Sequence, residues 1–163
     1  MERAVTSKSR QNGAVRYAVG LPNVGDYGDP SLLVGLACQA EAAGWDGVFV
    51  WDHVAYRQRG WPVADPYLTV TAIAAATGRV RLGVVACALP RRRPWKLARE
   101  TATLDVLSGG RLVVGVGPGS QAVEEYAAFG EDGDTRVRAD KLEEGLAILD
   151  DVLAIADEYY SSG

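Results

Sequence analysis

A single histidine, His53, stands directly after Asp52 at the end of the apolar run Gly47-Val-Phe-Val-Trp51. An imidazole in such a place can change protonation near neutral pH or hydrogen-bond a bound molecule. A lone histidine after a strand can equally be structural, so its position in the fold decides between the two readings. Other reactive groups follow other apolar runs: Asn23 after the first, Cys87 to Arg93 after the third, and Gly115-Val-Gly-Pro-Gly119 around the fourth. A glycine loop lets backbone approach a flat or phosphorylated ligand. Taken alone this one reads as a tight turn, and it does not fit the dinucleotide fingerprint. The helix after it is expected to begin too late to offer its N-terminus to a phosphate. Arg91, Arg92 and Arg93 could meet an anionic tail, but a solvated charge run is the simpler account. Glu124-Glu125 and Glu143-Glu144 read as solvated surface and first-turn helix charge. Cys38 and Cys87 have neither metal-like spacing nor a disulfide framework, so no metal site is expected.

The elements that must position these groups are four apolar strands near 17–21, 47–51, 80–86 and 111–116. They recur about every thirty residues, each followed by a helical pattern. Asp29-Pro30 and Asp65-Pro66 are N-cap and first-turn signals for two of the helices. The third helix is expected over about 95–107, closed by Ser108-Gly-Gly110. A polar stretch over about 120–136 precedes the last helix, whose stripe includes Leu142, Leu146, Leu149, Val152 and Leu153. On strand two, Phe49 and Trp51 alternate with Val48 and Val50, so the two pairs face opposite sides of the sheet. Repeated parallel strand–helix units build an open doubly wound sheet or a (β/α)8 barrel, and the barrel needs about twice this length. In either fold the functional loops lie at the strand C-termini, so the four groups would face one another. That shared rim strengthens the catalytic reading of His53.

Bulk properties narrow the class. With 163 residues, 48% apolar and 23% charged, the chain has the composition of one soluble globular domain. A net charge of −4 argues against nonspecific nucleic-acid binding. No apolar run could span a membrane, and the first residues lack the apolar stretch of a signal peptide, so a cytoplasmic protein is expected. The expected organisation is a disordered tail over 1–15, one domain of four βα units over 16–157, and a frayed end over 158–163.

The segments AEAAGWDGVFVWDH (40–53), DPY (65–67), RVRLGVVACALPRRRP (79–94), LARETATLDVLSGGRLVVGVGPG (97–119) and EEYAAFG (124–130), with Arg136 after it, carry a family signature. Together they resemble the N-terminal half of the bacterial luciferase-like flavin-dependent monooxygenases and oxidoreductases. Strand–helix alternation with right-handed crossovers gives the strand order 1-2-3-4, and the resemblance implies that these strands are the first half of a TIM (β/α)8 barrel holding FMN or the 8-hydroxy-5-deazaflavin coenzyme at the strand C-termini. It places His53, with Asp52 before it, beside the flavin or substrate as the catalytic pair. It assigns a non-proline cis peptide bulge to Val85–Ala86, against the flavin ring. Asn23, Val85, Ala86, Cys87, Gly117 and Gly119 become the cofactor-binding residues. Family members continue through four more βα units, so the inner face and strand edges of this half would be open. A homo-oligomer, or a separate C-terminal half, is the expected partner, alongside flavin and a small organic substrate. Two functions follow: a flavin-dependent oxidoreductase, or a catalytically silent fragment that only binds flavin or pairs. An unrelated nucleotide-binding sheet is disfavoured for want of a phosphate fingerprint.

Overall fold

The computed structural model describes residues 15–161, with backbone alone in the last helix beyond Ala154. The tail expected over 1–15 thus lies, but for Val15, outside the described residues. Strand β1 is Ala18–Leu21, β2 is Gly47–Val50 and β3 is Arg81–Val84. They form a parallel sheet in the order β1-β2-β3, with Leu21 level with Val50 and Val50 with Val84. Helices α1 (Pro30–Ala42) and α2 (Pro66–Ala76) fill the crossovers. Both start as the sequence dictates: Asp29 accepts from the Ser31 amide, Asp65 from the Leu68 amide, and a proline occupies the first turn of each.

Strand three then bends. The Val85–Ala86 peptide is cis, as the resemblance implied, and the chain resumes as β4, Cys87–Ala88. Strand four differs from expectation. It is not one continuous strand over 111–116 but a parallel bridge at Leu112, opposite Leu82, followed by β5, Val116–Gly117, paired with β4. Five residue steps separate Leu82 from Cys87, while four separate Leu112 from Val116. One extra residue on strand three therefore bulges out of the ladder and interrupts the pairing. The two strands approach closely here, because any side chain at Gly83 would collide with the Val113 carbonyl oxygen.

Helix α3 (Pro94–Ser108) ends at Gly109, and α5 (Thr135–Ser161) packs along it. The short α4 (Ala122–Glu125) begins three residues past Gly119, within the polar stretch over about 120–136. Helix α5 also continues beyond 157 to Ser161, since neither Pro nor Gly interrupts the sequence from Leu146 to Ser162. Val48, Val50, Leu82 and Val84 pack beneath Leu33, Val70, Ile73, Leu97 and Leu104 as one buried core. Each such side chain contributes about 1.5–3 kcal/mol. The opposite sheet face is open: Phe49 lies beside Gly47 and Gly83, while Trp51 is 42% and Val85 45% exposed. All strand C-termini point the same way, toward one rim.

Candidate functional site at the strand C-termini

A cleft of about 340 Å³ opens at that rim, lined by Trp51, Asp52, His53, Val85, Ala86, Ala88 and the Gly117–Ser120 loop. Strand two delivers Trp51, Asp52 and His53; the bend in strand three delivers Val85 and Ala86; strand four delivers the glycine loop. Four sequence-predicted residues besides the His53–Asp52 pair therefore converge here: Val85, Ala86, Gly117 and Gly119.

Asn23 and Cys87 do not line the cleft. Asn23 is fully buried beneath His53, donating to the His53 and Ala64 carbonyls at 2.8 and 2.7 Å and accepting from the His53 amide at 3.2 Å. Both of its N–H donors are taken by main chain and the side chain is fully buried, so it sets the His53 backbone and does not face the cleft. Cys87 points the other way from Ala88 along β4, into the core, and burial pushes its thiol up to about 11. Such a thiol is unreactive near neutrality.

The charges depart most from the sequence reading. Arg91 and Arg92 are not a solvated run. Their side chains keep 5% and 19% of their surface, and both pair with Asp52, at 3.1 and 2.6 Å. A 3-10 turn at Leu89–Arg91, directly after β4, folds these two arginines back over strand two, while Arg93 precedes α3 and lies over Trp95. Glu125 is not solvated either. It is 2% exposed; its carboxylate lies 2.9 Å from His53 Nδ1 and accepts from the Val54 amide at 3.1 Å and Arg91 Nη1 at 2.8 Å. Asp52 also accepts from the Ala88 amide at 2.7 Å. Burial opposes its ionisation, but the Arg92 and Arg91 guanidiniums outweigh it and hold its carboxyl below the ordinary range. Asp52 thus ties strand two to the segment after the cis bond, with no lone pair directed at a ligand.

The glycine loop is fixed from behind. Tyr126 Oη donates to the Pro118 carbonyl at 2.8 Å and Arg138 Nη1 to the Gly119 carbonyl at 2.8 Å. Arg138 is the arginine of α5 that reaches the loop. Gly119 sits at φ +74°, and a side chain there would strike Tyr126 Oη. An aromatic wall flanks the other side: Trp51 meets His53 edge-on, His53 meets Tyr56 edge-on, and Tyr56 stacks on Trp61 at 5.5 Å.

Sequence reasoning missed Glu125, the arginine pairing, Trp51 as a cleft residue and the Tyr126–Arg138 brace. No local signal marked Glu125: of the Tyr-Ala-Ala-Phe run after it only Tyr126 is buried, and Phe129 is 62% exposed. Among the described residues, no cluster of His, Cys, Asp and Glu could hold a metal ion, and no helix is long and apolar enough to cross a membrane.

Comparison with known proteins agrees with this architecture. The model of the luciferase-like monooxygenase family matches residues 1–161. The F420-dependent glucose-6-phosphate dehydrogenase of Amycolatopsis mediterranei is 36% identical over 105 residues, which cover 63% of this chain and 31% of that protein. The 4-hydroxyprotoasukamycin monooxygenase of Streptomyces nodosus subsp. asukaensis is 33% identical over 96 residues, 58% of this chain and 25% of that protein. Among solved structures, an F420-dependent secondary alcohol dehydrogenase in complex with an F420-acetone adduct superposes with TM-score 0.73 at 26% identity, over 82% of this chain and 40% of that one. The oxygenating constituent of 3,6-diketocamphane monooxygenase from Pseudomonas putida, in complex with FMN, gives 0.65 at 25% identity, over 74% and 32%. The chain spans about a third of the length of the curated relatives it matches first.

Proposed function

The chain belongs to the luciferase-like monooxygenase family, and from that premise we propose that it is the ring-facing part of a flavin-dependent oxidoreductase. Its cleft takes the ring system of FMN or of the 8-hydroxy-5-deazaflavin coenzyme, with a small organic substrate beside His53. The observation that carries this reading is the meeting of His53, Val85, Ala86 and Gly117 on one cleft. The residues suit a flat ring: Val85 and Ala86 give a small apolar wall, Gly117 lets backbone come close, and Trp51 offers an indole edge. The bound cofactor supplies either oxygen insertion or hydride transfer. The protein's own residues orient and handle protons. His53 lines the cleft, Asn23 holds its backbone, Asp52 ties the end of strand two to Ala88, and the Tyr126–Arg138 brace fixes the opposite loop.

A second reading is that these 163 residues by themselves bind flavin or pair without turnover, in keeping with a chain that spans about a third of its curated relatives' length. Barrel enzymes commonly bind phosphate with the loops after strands seven and eight, and those units lie outside these 163 residues. Charge-assisted contacts contribute about 1.5–3 kcal/mol each, so two or three fewer weaken binding by several powers of ten.

Titrating the 163-residue chain with FMN and with the deazaflavin, read by visible absorbance, tests the proposal. One of them should show a weak, saturable change. Gly117→Ala, whose methyl would lie 3.5 Å from the Ala86 Cβ without disturbing the fold, should weaken it about tenfold. No change with either cofactor at saturating concentration would overturn it. Adding the C-terminal half of a full-length relative separates the readings: turnover that His53→Ala depresses more than affinity marks the enzyme. The exposed Trp51, Val85 and Val114 also argue for a cover, either that half or a second copy. A compact monomer at micromolar concentration in sedimentation would refute self-association.

A further inference from the structure

We infer that Glu125 is a positioning residue that fixes His53 as its Nδ1–H tautomer, leaving Nε2 as the lone-pair nitrogen on the cleft side. This rests on the reading of His53 as the proton-handling group of the proposed site. Three observations carry it: the 2.9 Å contact between Glu125 and His53 Nδ1, the burial of the carboxylate, and its other two donors.

An ionised carboxylate can only accept hydrogen bonds. At 2.9 Å from Glu125 Oε1, Nδ1 must therefore carry the proton, since two facing lone pairs at that distance repel. The Gln121 amide also lies 3.3 Å from Nδ1 and would offer a donor to the other tautomer. It is longer, uncharged and already anchored, because Gln121 Oε1 accepts from the Arg57 amide. A charge-assisted contact outweighs a long neutral one. Charge balance points the same way. The buried network holds two carboxylates, Asp52 and Glu125, against two guanidiniums, Arg91 and Arg92. A neutral Nδ1–H ring completes it without adding charge.

The fold places Glu125 for this task. The turn at Gln121, with φ 46°, lets α4 start just after the cleft loop, and the Glu125 amide donates back to the Gln121 carbonyl at 2.9 Å. Tyr126, the next residue, locks the same loop through Pro118. The carboxylate that orients His53 is thus tied to the opposite wall of the cleft.

Because His53 is the only histidine, ¹⁵N-imidazole NMR of the 163-residue chain reads this ring alone. At an alkaline pH where the ring is neutral, the wild type should show a protonated Nδ1 and an unprotonated Nε2 as the dominant pattern. Glu125→Gln nearly preserves size. Its single amide oxygen cannot serve the Val54 amide, Arg91 and Nδ1 together as the two carboxylate oxygens do, and it carries no charge, so the share of the Nδ1–H pattern should fall in favour of Nε2–H or an average. A wild-type ring that is mainly Nε2–H or averaged would overturn the inference even if the variant failed to fold. So would a folded Glu125→Gln protein with an unchanged pattern. The measurement needs no cofactor. Failed flavin binding with an Nδ1–H ring sinks only the proposed function, and an Nε2–H ring with intact flavin binding sinks only this inference.

Discussion

The two ends of the parallel sheet hold charged clusters of opposite design. At the strand N-terminal end, Glu41 accepts from the amides of Gly78, Arg79 and Val80. There Arg111 donates to the carbonyls of Ala74, Thr77, Val80 and Ser108 and to the Thr77 hydroxyl. Each of these charges is answered by main chain, and each ties a helix end to the start of a strand. At the C-terminal end, Asp52, Glu125, Arg91 and Arg92 answer one another, with His53 at the margin. The first arrangement closes on itself. The second borders a cleft that His53 lines, and the buried Nε atoms of Arg91 and Arg92 have no partner among the described residues. In parallel barrels the N-terminal face serves stability and the C-terminal face chemistry. Here the difference is visible in what each charge is paired with.

Breaking the C-terminal cluster should have the largest effect. Asp52→Asn removes the carboxylate shared by two arginines, one of them almost fully buried. Unpairing a buried charge costs about 3–5 kcal/mol, to be read as a fall in the urea midpoint at pH 7. A loss well below 1 kcal/mol would mean that solvent already reaches the pair. Arg111→Met at the other end should follow, at about 2–4 kcal/mol, since several carbonyls lose a charged donor but regain water at the edge. The two variants differ in what survives. In the folded fraction, Arg111→Met should keep any cofactor response of the cleft, whereas Asp52→Asn should reduce it, because Asp52 anchors the Ala88 amide beside Ala86. Equal loss of the response in both would erase the distinction between the ends.

How legible each end was in the sequence follows from the same contrast. Strands, crossovers and caps depend on local pattern, so Asp29-Pro30, Asp65-Pro66 and the alternation of Val48 and Val50 with Phe49 and Trp51 could be read directly. The parallel order followed from strand–helix alternation, and the cis bond came from the family signature alone. The broken strand four was hidden because the extra residue lies on strand three, and a bulge has no period of its own. The polar network was hidden because its partners are far apart in sequence. Glu125 and His53 are separated by 72 residues, and Arg91 and Asp52 by 39. A local scan sees a pair of glutamates and a run of arginines, for which a solvated surface is the simpler account. Asn23 and Cys87 were placed correctly at strand ends, but which way a side chain leaves a loop or a two-residue strand depends on packing no local rule encodes.

The smallest expected effect, and the one that sharpens the comparison most, is the pH dependence of Glu41→Gln. Hydrogen bonds from the Gly78 and Val80 amides lower the Glu41 carboxyl from its ordinary 4.5; burial opposes them, and Arg79 adds its amide and charge. A carboxylate lowered on folding binds fewer protons in the native state than in the unfolded one. Its contribution is therefore fully present above about pH 4.5 and is lost as pH falls through the lower, folded value. Glutamine cannot ionise, and it presents an amide where one of the amide donors needs an acceptor. The variant should be slightly less stable than wild type at pH 7, and the gap in urea midpoints should shrink steadily once the solution is acidified below about 4.5. Arg111→Met should show a gap that stays level over the same range, because a guanidinium keeps its proton throughout. A Glu41→Gln gap as constant as that of Arg111→Met would show that the carboxylate is no more favoured than a neutral amide. The N-terminal cluster would then owe its strength to arginine alone.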